Sequence, residues 1–191
     1  MAMTLMLIRI LDIFLATVGF LVLLPIMLVI FLLCSLESGQ PLLKQKRLGR
    51  NKVPITLIKF RTMALNTPSV ATHLLDLNSV TPLGRFLRRT KLDELPQLWN
   101  VLRGDMSLVG PRPCLFNQQG LIVERAARGV FGARPGITGL AQIQGIDMST
   151  PELLAETDAE MLSHMSLFKY FSYIFLTVLG KGAGDGVRAK S

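Results

Sequence analysis

The sequence predicts an α+β chain that is mostly helical. A membrane-embedded unit, residues 1–36, precedes a small domain, residues 37–191, that holds a short β-hairpin. Three observations predict it. Residues 13–34 run 22 positions without a charge, about 33 Å as a helix and enough to cross a bilayer. Residues 53–60 are β-prone and follow a basic turn at 46–51, the pattern of a hairpin. The rest divides at proline and glycine into short pieces with helical start signals or apolar faces.

At 191 residues the chain allows one compact domain plus an anchor. Hydrophobic residues make up 50% and charged residues 18%, with a mean hydropathy of +0.44. Much of the apolar excess lies in residues 1–36. A formal charge of +8 and a pI of about 10 favour nucleic acid, anionic lipid or phosphorylated small molecules. The anchor sets nucleic acid aside and points to the other two. Cys34 and Cys114 form neither a disulfide framework nor a metal cluster, which suits a reducing, cytoplasmic face. His73 and His164 are isolated and read as ordinary surface or packed histidines.

The apolar segment is too long for a cleavable signal peptide, and no small-residue cleavage site follows it. Pro25, near its middle, removes the hydrogen bond to the Leu21 carbonyl and kinks a helix. Two topologies follow. A kinked helix crosses the membrane once, or two short helices meet at Pro25 and return to the same face. Lys44, Lys46, Arg47, Arg50 and Lys52 place the following domain in the cytoplasm. Only Arg9 and the amino terminus are positive on the other side, offset by Asp12, so charge leaves the topology open.

Residues 37–41 form a turn that ends the membrane unit. Residues 66–80, polar with Pro68, read as a loop with a short helical piece. Thr81 is an N-cap and Pro82 a first helical residue, opening a helix with Arg85, Arg88 and Arg89. Pro96 is tolerated only in a first turn, so the next helix starts at 93–95. Its N-terminus then holds Asp93 and Glu94, where the helix dipole lowers carboxylate pKa values. Residues 110–113 and 134–139 are rigid turns, and 151–161 read as an acidic amphipathic helix. Residues 162–179 are apolar and aromatic with Lys169 as the one charge, the composition of a membrane-interface helix; a buried core helix is the alternative. The tail, 180–191, reads as flexible.

Four groups of residues are able to carry chemistry. Asp93 and Glu94 follow Arg85, Arg88, Arg89 and Lys91, an arrangement suited to an anionic phosphate held by cations and attacked by a carboxylate. One carboxylate can be a nucleophile while the other holds Mg²⁺; simple charge balance on a solvated helix is the plain alternative. Lys59 and Arg61 alternate along a strand, so both face one way and could clamp a phosphate. Arg112 stands between Pro111 and Pro113 on a stiff backbone suited to bidentate phosphate binding. In Arg134-Pro135-Gly136-Ile137-Thr138-Gly139 the glycines allow close backbone approach and successive N–H groups can bind an anion, although the spacing is neither a Walker loop nor a dinucleotide fingerprint.

Taken together, these segments resemble the bacterial sugar transferase family, the monotopic phosphoglycosyl transferases, over nearly the whole chain. The marks are Lys44-Gln45-Lys46-Arg47-Leu48-Gly49, Lys59-Phe60-Arg61-Thr62-Met63, Thr81-Pro82-Leu83-Gly84-Arg85, Asp93-Glu94-Leu95-Pro96-Gln97, the run Asn100 through Pro113, and Arg134 through Gly139. Singly most are weak; in this order they are specific. The resemblance implies transfer of a sugar-1-phosphate from a UDP-sugar to polyprenyl phosphate, typically undecaprenyl phosphate, with release of UMP. It implies Asp93 as the covalent nucleophile and Glu94 as the Mg²⁺ ligand. Lys59, Arg61, Arg88 and Arg112 are implied phosphate binders, and Pro135, Gly136, Thr138 and Gly139 shape the nucleotide side. It also implies a re-entrant helix–break–helix at Pro25 with both ends cytoplasmic. Interfacial amphipathic helices would then lie on anionic lipid of the bacterial inner membrane, and there is room for a homo-oligomer.

Three departures stand out. Leu24 precedes Pro25 where the family often has serine, Leu140 follows the 135–139 turn where tryptophan is common, and Tyr170 stands where an aspartate is common. Two other readings remain: a membrane-anchored phosphate-ester hydrolase, and a basic membrane scaffold without chemistry, for which Asp93 and Glu94 would be dispensable. The sugar and the glycan pathway are not legible.

Overall fold

The computed structural model describes residues 2–65 and 79–182. The first element, α1, is one continuous helix from Ala2–Ser38 with Pro25 inside it. The helical assignment runs on through Pro25, where the sequence places a break. The fixed φ of proline fits a helix and forfeits one hydrogen bond, while strong helix formers flank it on both sides.

One stripe of α1 is buried: Ile8, Asp12, Ala16, Met27, Ile30 and Cys34. Its other faces expose a long apolar surface that includes Met6, Phe14, Leu21, Val22, Leu32 and Leu36. The stripe packs on the rest of the chain along the whole helix. Ile8 joins Val109, Met161, Tyr170 and Tyr173. Ala16 joins Ile55, Leu57, Leu98, Val101 and Met106. Met27, Ile30 and Cys34 join Phe60 and Leu87. Among the described residues, α1 and the rest of the chain thus share three of the four apolar clusters.

The hairpin forms as expected. β1 (Leu42–Leu48) and β2 (Pro54–Phe60) are antiparallel, in register from Leu42 opposite Phe60 to Leu48 opposite Pro54. The buried Asn100 extends the pairing with its side chain: its amide nitrogen donates to Thr56 O at 2.7 Å and its oxygen accepts from Ile58 N at 3.1 Å. That ties β2 to α3 (Gln97–Arg103).

α2 (Pro82–Thr90) begins as the sequence predicts, with Pro82 in its first turn and Thr81 Oγ1 accepting from Gly84 N at 2.9 Å. Gly84 lies so close to Thr62 that a Cβ would stand 2.1 Å from the Thr62 carbonyl oxygen. α2 stops at Lys91, which takes left-handed backbone angles.

A second sheet was not foreseen: β3 (Ser107–Val109) and β4 (Gly136–Thr138) pair in parallel. Three residues each are too few for a strand signature. α4 (Gln119–Ala127), α5 (Leu140–Gln144) and α6 (Pro151–Ser163) surround this sheet and the hairpin end, around Leu48, Cys114, Leu121, Ala141, Leu154 and Ala155. α7 (Leu167–Val178) is amphipathic: Tyr170 and Tyr173 face the core, while Phe168, Phe171, Phe175 and Val178 are exposed. The core alternative thus holds for one face of this helix, while the other leaves its aromatic side chains exposed. Residues 66–78 and 183–191, where a loop with a helical piece and a tail are expected, lie outside the described residues, as does His73.

Candidate active site

Asp93 and Glu94 sit on a single 3-10 turn, Leu92–Glu94, between the left-handed Lys91 and α3. α3 itself starts only at Gln97, after Pro96. The carboxylates therefore lie about one turn upstream of the observed start of α3, which comes later than the 93–95 that the sequence suggests. Both are buried, at 5% and 8% exposure.

Three cations act on Asp93. Lys59 comes from β2, Arg88 from the last turn of α2, and Arg112 from the loop after β3. Burial nevertheless pushes Asp93 up to about 7, Glu94 pushes the same way, and the cations only partly offset them. The depression expected from a helix dipole is corrected: the dyad is not in a helical first turn, and desolvation outweighs the favourable charges. Lys59 is shifted down by its own burial, against the pull of Asp93.

Arg112 Nη2 donates to Glu94 Oε1 at 2.7 Å. Arg88 Nε donates to Thr62 Oγ1 at 2.9 Å, and the buried Arg88 Nη1 has no hydrogen-bond partner among the described residues. A buried guanidinium nitrogen left open beside a carboxylate is suited to an incoming anion. Lys59 and Arg112 also line a pocket completed by Arg47, Leu57, Gln97, Pro113, Gly136 and Met148.

Of the expected site residues, the structure brings Asp93, Glu94, Lys59, Arg88 and Arg112 together. Arg61 lies past the end of β2 and its guanidinium is bonded to Gln40, with Nε on the Gln40 carbonyl at 2.9 Å. Gly136 lines the pocket, and Pro135 borders a smaller cavity beside it. Thr138 is buried and its hydroxyl pairs with that of Thr177, and Gly139 packs against Gly110. The close approach that these glycines permit is to protein backbone: a Cβ on Gly136 would stand 2.0 Å from Gly110 N. Arg47, Gln97 and Met148 were missed. Arg47 carried a signal, since it lies in the basic stretch of β1, opposite Ile55 of β2. Gln97 closes the Asp93–Gln97 mark without being read as a site residue, and Met148 carried no signal.

A buried carboxylate pair acted on by three cations, beside a helix long and apolar enough to cross a membrane, is an arrangement suited to phosphorylated substrates met at a membrane. Comparison with known proteins makes the class specific. The bacterial sugar transferase family matches residues 3–181, and the chain belongs to that family, which makes it a transferase. It is 40% identical over 182 residues to a UDP-glucose:undecaprenyl-phosphate glucose-1-phosphate transferase of Caulobacter vibrioides, covering 89% of this chain and 67% of that protein. It is 41% identical over 154 residues to the uncharacterised sugar transferase EpsL of Bacillus subtilis, covering 80% and 76%. It is 35% identical over 176 residues to a UDP-galactose-lipid carrier transferase of Erwinia amylovora, covering 82% of this chain but 36% of that protein. The chain thus spans about a third of some relatives and about three quarters of others.

Proposed function

We propose that this chain transfers a sugar-1-phosphate from a UDP-sugar to polyprenyl phosphate, releasing UMP, on the cytoplasmic face of the bacterial inner membrane. The observation that carries the reading is the burial of Asp93 among Lys59, Arg88 and Arg112. A scaffold has no use for two desolvated carboxylates, and the relative from Caulobacter vibrioides is named for a reaction of this kind.

In this reading the Asp93 carboxylate attacks the β-phosphorus of the donor. One carboxylate–phosphorus bond forms, the bond to the α-phosphate oxygen breaks, and UMP leaves. A phosphate oxygen of the lipid acceptor then attacks the same phosphorus, and Asp93 departs as a carboxylate. Lys59, Arg88 and Arg112 hold the phosphates and offset the charge that accumulates between them. Burial excludes water, which favours transfer over hydrolysis.

Among the described residues no three Asp, Glu, His or Cys side chains gather into a metal cluster. Mg²⁺ commonly binds through one or two carboxylates with substrate phosphates supplying further oxygens. Glu94 fits that limited role, with one oxygen on Arg112. Such an ion would neutralise the diphosphate.

For the membrane, the reading is re-entrant, with both ends of α1 cytoplasmic. What supports it is that Ile8 and Cys34, near opposite ends of α1, are both buried in the apolar clusters of one domain. The exposed Phe86, Arg85 and Arg89 of α2 and the phenylalanine face of α7 suit an anionic inner leaflet.

The test is UMP release by purified protein given undecaprenyl phosphate, Mg²⁺ and a panel of UDP-sugars. Release with one donor, dependent on the lipid and lost in Asp93→Asn, is expected. Turnover without lipid would favour a hydrolase instead, and release undiminished in Asp93→Asn would overturn the covalent step.

A further inference from the structure

Four consecutive carbonyls around Arg112 are held from three parts of the fold, β1, β4 and α4. Pro111 O accepts from Gly136 N at 2.9 Å, and Cys114 O from Leu48 N at 3.0 Å. Pro113 O accepts from Arg47 Nη1 at 3.2 Å, and Arg112 O from Arg125 Nη1 at 2.7 Å. Prolines 111 and 113 supply no N–H, so carbonyl contacts such as these are the main polar means of fixing this stretch.

The hold on Arg112 is built differently from the rest. Arg125 on α4 donates from Nε at 3.0 Å and Nη2 at 2.6 Å to Asp158 Oδ2 on α6. The side chains are 2% and 1% exposed. The same planar fork then has Nη1 left for the Arg112 carbonyl. An isolated buried ion pair is a poor source of stability, because desolvation consumes most of its attraction. Serving two acceptors in fixed directions is something that an apolar pair cannot do and that lysine, a point charge, does badly.

We propose that the Arg125–Asp158 pair is a positioning device for Arg112. It fixes the backbone from which the Arg112 guanidinium reaches Glu94, although neither residue lines the pocket. Two helices that carry no site residue, α4 and α6, are thereby coupled to the charge arrangement around the dyad.

The test rests on the proposed reaction for its main readout. Arg125→Met/Asp158→Leu replaces the pair with apolar side chains of similar bulk, a change that buried pairs often tolerate. Its melting temperature and kcat/KM for UMP release are compared with wild type, Arg112→Ala and the triple variant. The double variant is expected to keep its melting transition and to lose about 10-fold in kcat/KM. Arg112→Ala is expected to cost at least about 5-fold less in that background than in wild type, because coupled residues are not additive. Undiminished activity in the double variant, or an equal Arg112→Ala penalty in both backgrounds, would show the pair to be structural only. If the double variant does not fold, Arg125→Lys takes its place: it keeps a charge against Asp158 and loses the bridge. If wild type releases no UMP from any donor, the reaction is at fault and not the strut. The same four proteins are then compared for UDP binding by calorimetry, where the same non-additivity is expected and its absence overturns the proposal.

Discussion

Tyr170 donates its hydroxyl to Asp12 Oδ1 at 2.8 Å, joining residues 158 positions apart and tying the last helix to the first. The same oxygen accepts from Ser107 Oγ at 3.0 Å and Leu108 N at 2.9 Å, so one carboxylate of α1 holds both α7 and β3. The residue that departs from the family pattern therefore has a partner of its own. An aspartate at 170 would set a second carboxylate against the first. Tyr170→Phe is expected to lower stability by about 1–3 kcal/mol through the lost donor, and Tyr170→Asp by more. Thermal unfolding in detergent ranks the three; a Tyr170→Asp protein as stable as wild type would deny the link.

The raised carboxyl of Asp93 makes stability depend on pH. A group whose folded pKa lies near 7 and whose ordinary value is 3.8 favours the fold while protonated. That contribution is complete below about pH 4 and is lost as pH rises through about 7. Metal-free wild type is thus expected to lose, between pH 4 and pH 8, on the order of a few kcal/mol relative to Asp93→Asn. Denaturant melts in EDTA at several pH values measure the difference. Parallel curves for the two proteins would mean that Asp93 is not desolvated.

Arg112 binds Glu94 through one guanidinium nitrogen while its backbone is held by Arg125. Removing the side chain leaves Glu94, at 8% exposure, without that partner. Arg112→Ala is expected to lower kcat/KM by about 100-fold or more, and Arg112→Lys to restore only part, since a point charge cannot copy the fork. Steady-state kinetics with the identified donor decide this; full activity in Arg112→Ala would remove it from the site.

Gly136→Ala places a methyl group 2.0 Å from Gly110 N, so β3 and β4 must separate. A loss of at least about 2–3 kcal/mol is expected, at the upper end for overpacking because the obstacle is backbone. Protease resistance in detergent reports it. Wild-type resistance would mean that the two strands have room to part.

Cys34 and Cys114 are both buried, so a cysteine introduced at residue 2 gives a clean topology signal. Ala2→Cys is expected to resist an impermeant thiol reagent in intact cells and to react after permeabilisation. Labelling from outside would make α1 a single crossing.

Much of this arrangement was legible because local chemistry wrote it. Thr81 and Pro82 announced the start of α2, the basic turn announced the hairpin, and adjacent carboxylates after a run of cations announced the site. What escaped depended on distance. Strands of three residues have no periodicity, and the 136–139 glycines are explained only by the nearness of Gly110. Asp93 was assigned the wrong direction of pKa shift, because a sequence displays neighbouring charges but not desolvation. Arg61 alternates with Lys59, yet the strand ends between them at Phe60, and alternation then no longer governs direction. Arg125 and Asp158 gave no signal at all; their roles exist only once α4 and α6 have met.

Asp12 has a further implication for the order in which the protein is made. It emerges from the ribosome at the head of the uncharged run of α1, about a hundred residues ahead of Ser107 and Leu108 and 158 ahead of Tyr170. Until those partners arrive, a carboxylate waits in a helix bound for lipid with only Arg9, 3.9 Å away, to balance it. The hydrogen bonds that seat the N-terminal helix on the rest of the chain are therefore complete only once α7 has been made. A chain that stops short of α7 would carry its whole dyad and still be unable to shelter Asp12 as the finished protein does.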